Sequence, residues 1–431
     1  PTTNTSPERD DTGGTNFISQ FNPFRQKPAT PTNTPPEDTG EIEPFPEGTS
    51  KMKLTKVSSM PIAGFTVFQK ERLVDVPAPT PVTSEIPTGN IETAKPTDIG
   101  KKIPAKVIPP PTEFMPALRY ADKATGNIYH TFADKLEEKK FSTTIIPKIH
   151  EAYFGNRGES VVMRYLKADA KTIETFAGTL PKELLGGDTT GNNEIKGSFL
   201  PNNIKDITVS PDASKIFYLF ESGSASLTSS TGITLNLLNN KKTQIFDSHF
   251  TEWLSFWPSN NMISLSTKPS ANIPGYMYVM DAAGKNLKKV LGGINGLTTL
   301  MSPNGKLVLY GDKNLSLNIY NTVTKNSYAV SVKTLPEKCV WGRTGDSIYC
   351  AAPKSISTGE YPDSWYQGEV SFQDQLWKVD VKTGNTTLIL DPASLGEREE
   401  VDGIKLSLDE KENYLFFINK KDSFLWKLDL K

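Results

Sequence analysis

The chain has 431 residues, 36% of them hydrophobic, and its 48 basic and 49 acidic residues leave a formal net charge of −1. That length suits one large domain or two ordinary ones, and the balanced charge excludes a global field that would draw in nucleic acid or an anionic membrane. No apolar run approaches the ~18 residues of a bilayer span and no signal peptide is present; the start at Pro1 reads as a processed or trimmed form that leaves room for an anchor or targeting segment ahead of it.

Residues 1–50 carry nine prolines and three basic against eight acidic residues. Such a stretch cannot bury enough apolar surface to offset the entropy of ordering, so it reads as a Pro/Thr-rich extended tail. Within it, NFISQFNPF places Phe17, Phe21 and Phe24 at i, i+4 and i+7, one side of a short helix. This is the pattern of a short docking motif, with an inert linker as the alternative. KMKLTKVSS at 51–59 then reads as a strand with no local partner. PIAGFTVFQ begins a four-stranded unit continued by ALRYAD, NIYHTFAD and KKFSTTII, interrupted at about 73–114 by a second Pro-rich stretch, again with nine prolines. IHEAYFGNRGESVVMRYL from Ile149, with TIETFAG and EIKGSFL, makes another such unit.

Downstream, one pattern recurs: ITVSPDASKIFYLF from Ile207, SFWPSNNMISLS from Ser255, LMSPNGKLVLYGD from Leu300, CVWGRTGDSIYCAA from Cys339 and KLSLDEKENYLFFINK from Lys405. Each is a strand, a tight turn of Pro, Asp, Asn or Gly, and a strand. The spacing of ~40–50 residues is that of propeller blades. Third and fourth strands follow, as in GYMYVMDAAGKNLKKVL and QLWKVDVKTGNTTLIL. The second strands, such as KIFYLF and NYLFFI, are apolar throughout, as sheets covered on both faces require. The expectation is an all-β, seven-bladed β-propeller over 51–431. Its last blade has only three C-terminal strands, so Lys51–Ser59 is expected to pair with the strand around Phe424–Leu430 and close the ring.

The only cysteines, Cys339 and Cys350, flank the turn of the sixth blade. A turn at Thr344-Gly345 places them opposite one another on adjacent strands, within reach of a disulfide. Two buried free thiols are the alternative. The three histidines, His130, His150 and His249, lie in other blades, so no zinc set forms, and C-x10-C is not a redox spacing. A disulfide implies an oxidising compartment outside the cytoplasm.

The SPDA and SPNG turns resemble TolB-type, WD40-like propeller repeats. RYADKATGNIYHTF, TTIIPKIHEAYFGNRGESVVMRYLK, KCVW, IYCAAP and PDSWYQG together resemble an uncharacterised family of exported bacterial propellers, usually tethered to the membrane by an N-terminal helix and a Pro/Thr-rich linker. The resemblance covers about 51–431. It implies the fold and an extracytoplasmic location, with membrane contact only through an anchor that these residues do not contain, and it implies no activity.

No G-x-S-x-G, H-E-x-x-H, P-loop or calcium-loop pattern is present, so no catalytic residue, metal ligand or cofactor is assigned. His150-Glu151 sits on a first strand near the central channel and reads as a strand-end polar pair in hydrated surroundings. The best binding candidate is the insertion PKSISTGEYPDSWYQGEVSFQD between the second and third strands of the sixth blade, with Tyr361, Trp365 and Tyr366 among polar residues. The alternative is that these aromatics only fold the loop onto its blade. Smaller expansions at the same junction of blades three and four (ESGSASLTSST, TKPSANIPG) mark one face as the elaborated one. The leading functional expectation is a non-enzymatic extracytoplasmic binding or assembly module. It would present loops to a protein partner or to a neighbouring copy docked through the tail, without nucleic acid. A TolB-like envelope relay is the second reading, and a hydrolase or lyase working in the channel the third.

Overall fold

The computed structural model describes residues 53–74, 111–183, 193–224, 227–395 and 399–431. The tail, with Phe17, Phe21 and Phe24, and most of the 73–114 insertion lie outside the described residues. The strands form seven four-stranded antiparallel sheets, each a blade of one ring. The first strands, which line the channel, are Ile62–Leu73, Ile149–Gly155, Ile204–Val209, Trp253–Ser259, Thr298–Met301, Cys339–Trp341 and Gly403–Leu408. The seventh blade is completed from the other end of the chain: Leu54–Lys56 pairs with Leu425–Asp429, Leu54 opposite Leu428 and Lys56 opposite Trp426. The edge strand is therefore covered by the N-terminal residues, as the unpartnered strand in the sequence requires.

The core is a set of seams between neighbouring blades. In the second strand Lys215–Ser224, Tyr218 packs toward blade two while Phe217 packs toward blade four. In Tyr414–Asn419, Phe416 faces blade one and Phe417 faces blade six. Successive side chains on a strand point to opposite faces, and here both faces are buried, so alternation of polarity is absent. The seam between blades five and six contains the bonded cysteines: Cys339 pairs opposite Cys350, their Cα atoms are 4.0 Å apart, and the sulfurs form a disulfide. Gly345 supplies the left-handed residue of the turn between them, at φ 77°.

The Pro-rich insertion leaves a long hairpin, since the first two strands of blade one stay paired out to Leu73 opposite Thr112. The expansion of blade three is also a hairpin: Lys215–Ser224 and Leu227–Asn236 run straight through it.

Two stability changes follow. Buried Ser58 accepts a hydrogen bond from Leu425 N at 3.0 Å beside the closing strand, so Ser58→Ala should cost about 1–3 kcal/mol in denaturant titrations. Replacing both cysteines by Ala should cost about 3 kcal/mol through the entropy of the released loop, measured by the same titrations without reductant.

Candidate active site in the central channel

In blades one, two, three and seven the pairing of first and second strands is interrupted near the start of the first strand. The breaks fall between Ile62 and Gly64, Ile149 and Glu151, Ile204 and Asp206, and Ile404 and Ser407. These four blades are consecutive around the ring. A bulge adds a residue to one strand and re-aims the side chains beside it. Here it adjoins Glu151 and Asp206 at the same offset in neighbouring blades. It also contains Lys405, whose φ of 52° is unusual for a residue with a Cβ.

These side chains meet in the channel. Arg164 Nη1 donates to Glu151 Oε2 at 2.5 Å, and Arg164 Nη2 donates to the carbonyl of Ile204, also at 2.5 Å, so one guanidinium links blades two and three. Tyr153 Oη donates to Glu151 Oε2 at 3.1 Å, and the Lys405 ammonium lies 5.5 Å from the Tyr153 ring centre. Asp206 Oδ2 accepts from Ser255 N and Ser255 Oγ, both at 2.6 Å, which joins blade three to blade four. Lys405 is open to solvent by surface area although the ring encloses it, the condition of a group in a wetted channel.

The surroundings pull the two carboxyls in opposite directions. Burial alone would raise Glu151, but Lys405 and Arg164, with hydrogen bonds from Tyr153 and Arg164, hold it below its ordinary range. Asp206 is raised by burial, against which the Ser255 hydrogen bonds act, and the charge of Glu151 raises it further. Burial lowers Lys405, opposed by Glu151, and burial raises Tyr153, reinforced by Glu151. Carboxyls pushed apart in this way divide into a proton donor and a proton acceptor.

Asp206 also lines a cavity of about 260 Å³ with Ser255, Phe256, Thr299, Glu337 and Tyr366. Glu337 belongs to the turn Pro336–Lys338 that leads into blade six, and Tyr366 ends the short helix Asp363–Tyr366 in the sixth-blade insertion. Tyr366 Oη donates to Glu337 Oε1 at 2.5 Å. Burial raises both groups; the hydrogen bond works against the shift at Glu337 and adds to it at Tyr366. The cavity lies at the end of the channel where first strands begin and where second strands connect to third strands, the elaborated face.

Of the three aromatics singled out in the insertion, the structure buries two. Tyr361 (3% exposed) and Trp365 (4%) pack with Leu315, Leu335 and Phe372, whereas Tyr366 (38%) borders the cavity. Trp365 Nε1 donates to Asp402 Oδ2 at 3.0 Å and Tyr361 Oη to the carbonyl of Ser357 at 2.7 Å, so both are spent on holding the loop. Asp363 Oδ2 accepts from Ala271 N at 2.6 Å, which carries the insertion across to blade four and sets Tyr366 at the channel mouth. Sequence reasoning reached Glu151 as a polar channel residue and missed Asp206, Lys405, Arg164 and Glu337. A usable signal was present: IHE, IKD and GIK place charged residues at the start of strands whose next residues are buried. His150 and His249 are exposed, and buried His130 lies 3.7 Å from Glu183 between blades one and two, lowered by burial to about 4. Among the described residues, no group of three or more His, Cys, Asp or Glu side chains is arranged to hold a metal ion.

No family model matches the sequence, and neither does any curated protein. Among solved structures the chain is similar to the oligogalacturonate lyase of Vibrio parahaemolyticus, with TM-score 0.45 and 9% identity over 73% of this chain and 86% of that one. It is also similar to an oligogalacturonate lyase in complex with manganese, with TM-score 0.45 and 9% identity over 73% and 85%. Of the resemblance to exported TolB-type propellers, the seven-bladed fold stands; membrane tethering and the family itself find no support. The expectation of a non-enzymatic binding or assembly module, with no enzyme activity, is corrected: the two similar structures named above are oligogalacturonate lyases, which are enzymes. At this identity no substrate and no residue role passes from them to this chain.

Proposed function

We propose that this propeller is an enzyme that cleaves a polar substrate in its central channel by general acid–base catalysis. The observation that carries the reading is the pair Glu151 and Asp206, set by matching bulges on adjacent first strands and held with their proton affinities displaced in opposite directions. Glu151 is the base, taking a proton from water or from a carbon acid, and Asp206 is the acid, protonating the leaving oxygen. Arg164 and Lys405 keep Glu151 ionised, and Ser255 orients Asp206. Phe256 and Tyr366 offer apolar and hydroxyl surface to a substrate entering from the elaborated face. The reaction class is hydrolysis or elimination. The buried disulfide favours an oxidising compartment, so the reading includes a location outside the cytoplasm.

The test is turnover on a panel of glycosides, uronides and esters, followed by reducing ends for hydrolysis and by ultraviolet absorbance of an unsaturated product for elimination. Glu151→Gln and Asp206→Asn should each reduce the rate about 10²–10⁴-fold. The pH profile should be bell-shaped with an acidic optimum, rising as Glu151 ionises and falling as Asp206 does. Equal turnover by wild type and both variants would overturn the assignment.

Stability gives a second check. The folded-state pKa of Asp206 lies above its unfolded value, so between the two the native state binds more protons and stability falls as pH rises. Asp206→Asn should therefore melt higher than wild type at neutral pH, with the gain vanishing below the ordinary Asp range of about 3.9. A group retained at the expense of stability is the expected signature of a working residue.

A further inference from the structure

Beneath the sixth-blade insertion lies a cluster that the channel chemistry does not use. Lys338, Asp374 and Asp402 all have fully buried side chains. Lys338 ends the turn before blade six, Asp374 opens the strand Asp374–Asp380 of the same blade, and Asp402 immediately precedes the first strand of blade seven. The Lys338 amine lies 2.8 Å from Asp374 Oδ2, contacts Asp402 Oδ1, and donates to the carbonyl of Gly403 at 3.0 Å. The rings of Trp365 and Phe372 lie over it with centres at 5.1 and 5.3 Å.

The two carboxyls differ in their remaining partners. Asp402 Oδ2 accepts from Trp365 Nε1 at 3.0 Å, Phe372 N at 3.0 Å and Ser371 Oγ at 3.2 Å. Burial acts to raise it, but Lys338 and these donors bring it below the usual carboxylate range. Asp374 has the Gly403 N–H on Oδ2 at 2.7 Å, while its Oδ1 is buried without a hydrogen-bond partner. Burial raises Asp374 to about 6 against the pull of Lys338. When Asp374 is protonated the proton sits on Oδ1, the oxygen without a partner, and Asp374 borders a cavity of about 180 Å³ shared with Gln373 and Val401.

We propose that Lys338 and Asp374 condense into an intramolecular amide, Nζ to Cγ, with Asp402 as the base that deprotonates the amine. Asp402 takes a proton from the ammonium, and the freed nitrogen lone pair attacks Cγ of the protonated Asp374. The carbonyl electron pair moves onto Oδ2, where the Gly403 N–H meets it. When the carbonyl re-forms, the Cγ–Oδ1 bond breaks. A proton passes from the nitrogen to Oδ1 as that bond breaks, Oδ1 leaves as water, and Asp402 keeps the proton it took from the ammonium. An amine and a carboxylic acid become an amide and water, with no change in oxidation state and no co-reactant. Burial favours this direction, because a neutral amide replaces charges that the dry, aromatic surroundings solvate poorly. The bond would close the segment from 338 to 374 covalently and hold Tyr366 at the channel mouth.

Intact-mass measurement of the full chain, denatured and reduced, tests this directly. The expected mass is lower than the sequence mass by one water. A tryptic digest should show no cleavage after Lys338 and a branched peptide joining Lys338 to Asp374. Lys338→Arg and Asp402→Asn should each restore the full mass. Full sequence mass in the wild type, with cleavage after Lys338, would overturn the proposal whatever the variants do. A branch at Asp402, or a water still missing in Lys338→Arg, would overturn the assignment as well.

Discussion

The structure depends on one constraint: every sheet is apolar on both faces, so every sheet needs a neighbour on both sides. A row of such sheets cannot end in water without exposing a face, and a ring is the arrangement in which none ends. Closure is achieved by three residues from the far end of the chain, Leu54–Lys56, laid along Leu425–Asp429. The seam behind that strand, built from Val57, Ile62, Leu118, Tyr120, Phe416 and Leu425, has the same character as those between blades adjacent in the chain. Closure is therefore a packing event as much as a pairing event.

The ring then dictates where polarity can be concentrated. Outer strands meet solvent and their charges are cheap. First strands converge on the axis, where a charged side chain is enclosed by protein yet reached by water. Lys405, Glu151, Asp206 and Glu337 occupy that zone, and their proton affinities are displaced in directions that follow from their partners. The bulges of blades seven, one, two and three sit on consecutive blades, so one sector of the channel wall is irregular. That irregular sector carries Glu151, Asp206 and Lys405.

The sixth-blade insertion shows a second use of enclosure. Its aromatics looked like a binding surface because Tyr and Trp are common there, yet Tyr361 and Trp365 form a small core of their own with Phe372. Asp402, reached by Trp365 from the insertion and by Lys338 from the turn below, ties the loop to the ring. The loop is anchored in that way, and the residue it delivers to the channel is Tyr366.

Blade number, strand order, the closing strand and the facing cysteines were legible in the sequence, because each depends on local signals: turn residues at a repeating interval, strands apolar without alternation, and symmetric placement about a turn. The site was not legible in that way. Glu151 and Asp206 are brought together by the rotation of one blade onto the next, Glu337 joins the cavity from the turn before blade six, and Tyr366 joins only through a loop that crosses from blade six to blade four. Lys338, Asp374 and Asp402 likewise belong to three separate stretches that meet at a seam. Local patterning determines which residues form a strand and which face is buried. Which charged groups share a low-dielectric space is decided only when the sheets pack, since proton affinity depends on neighbours distant in the chain and on the exclusion of water by the closed ring.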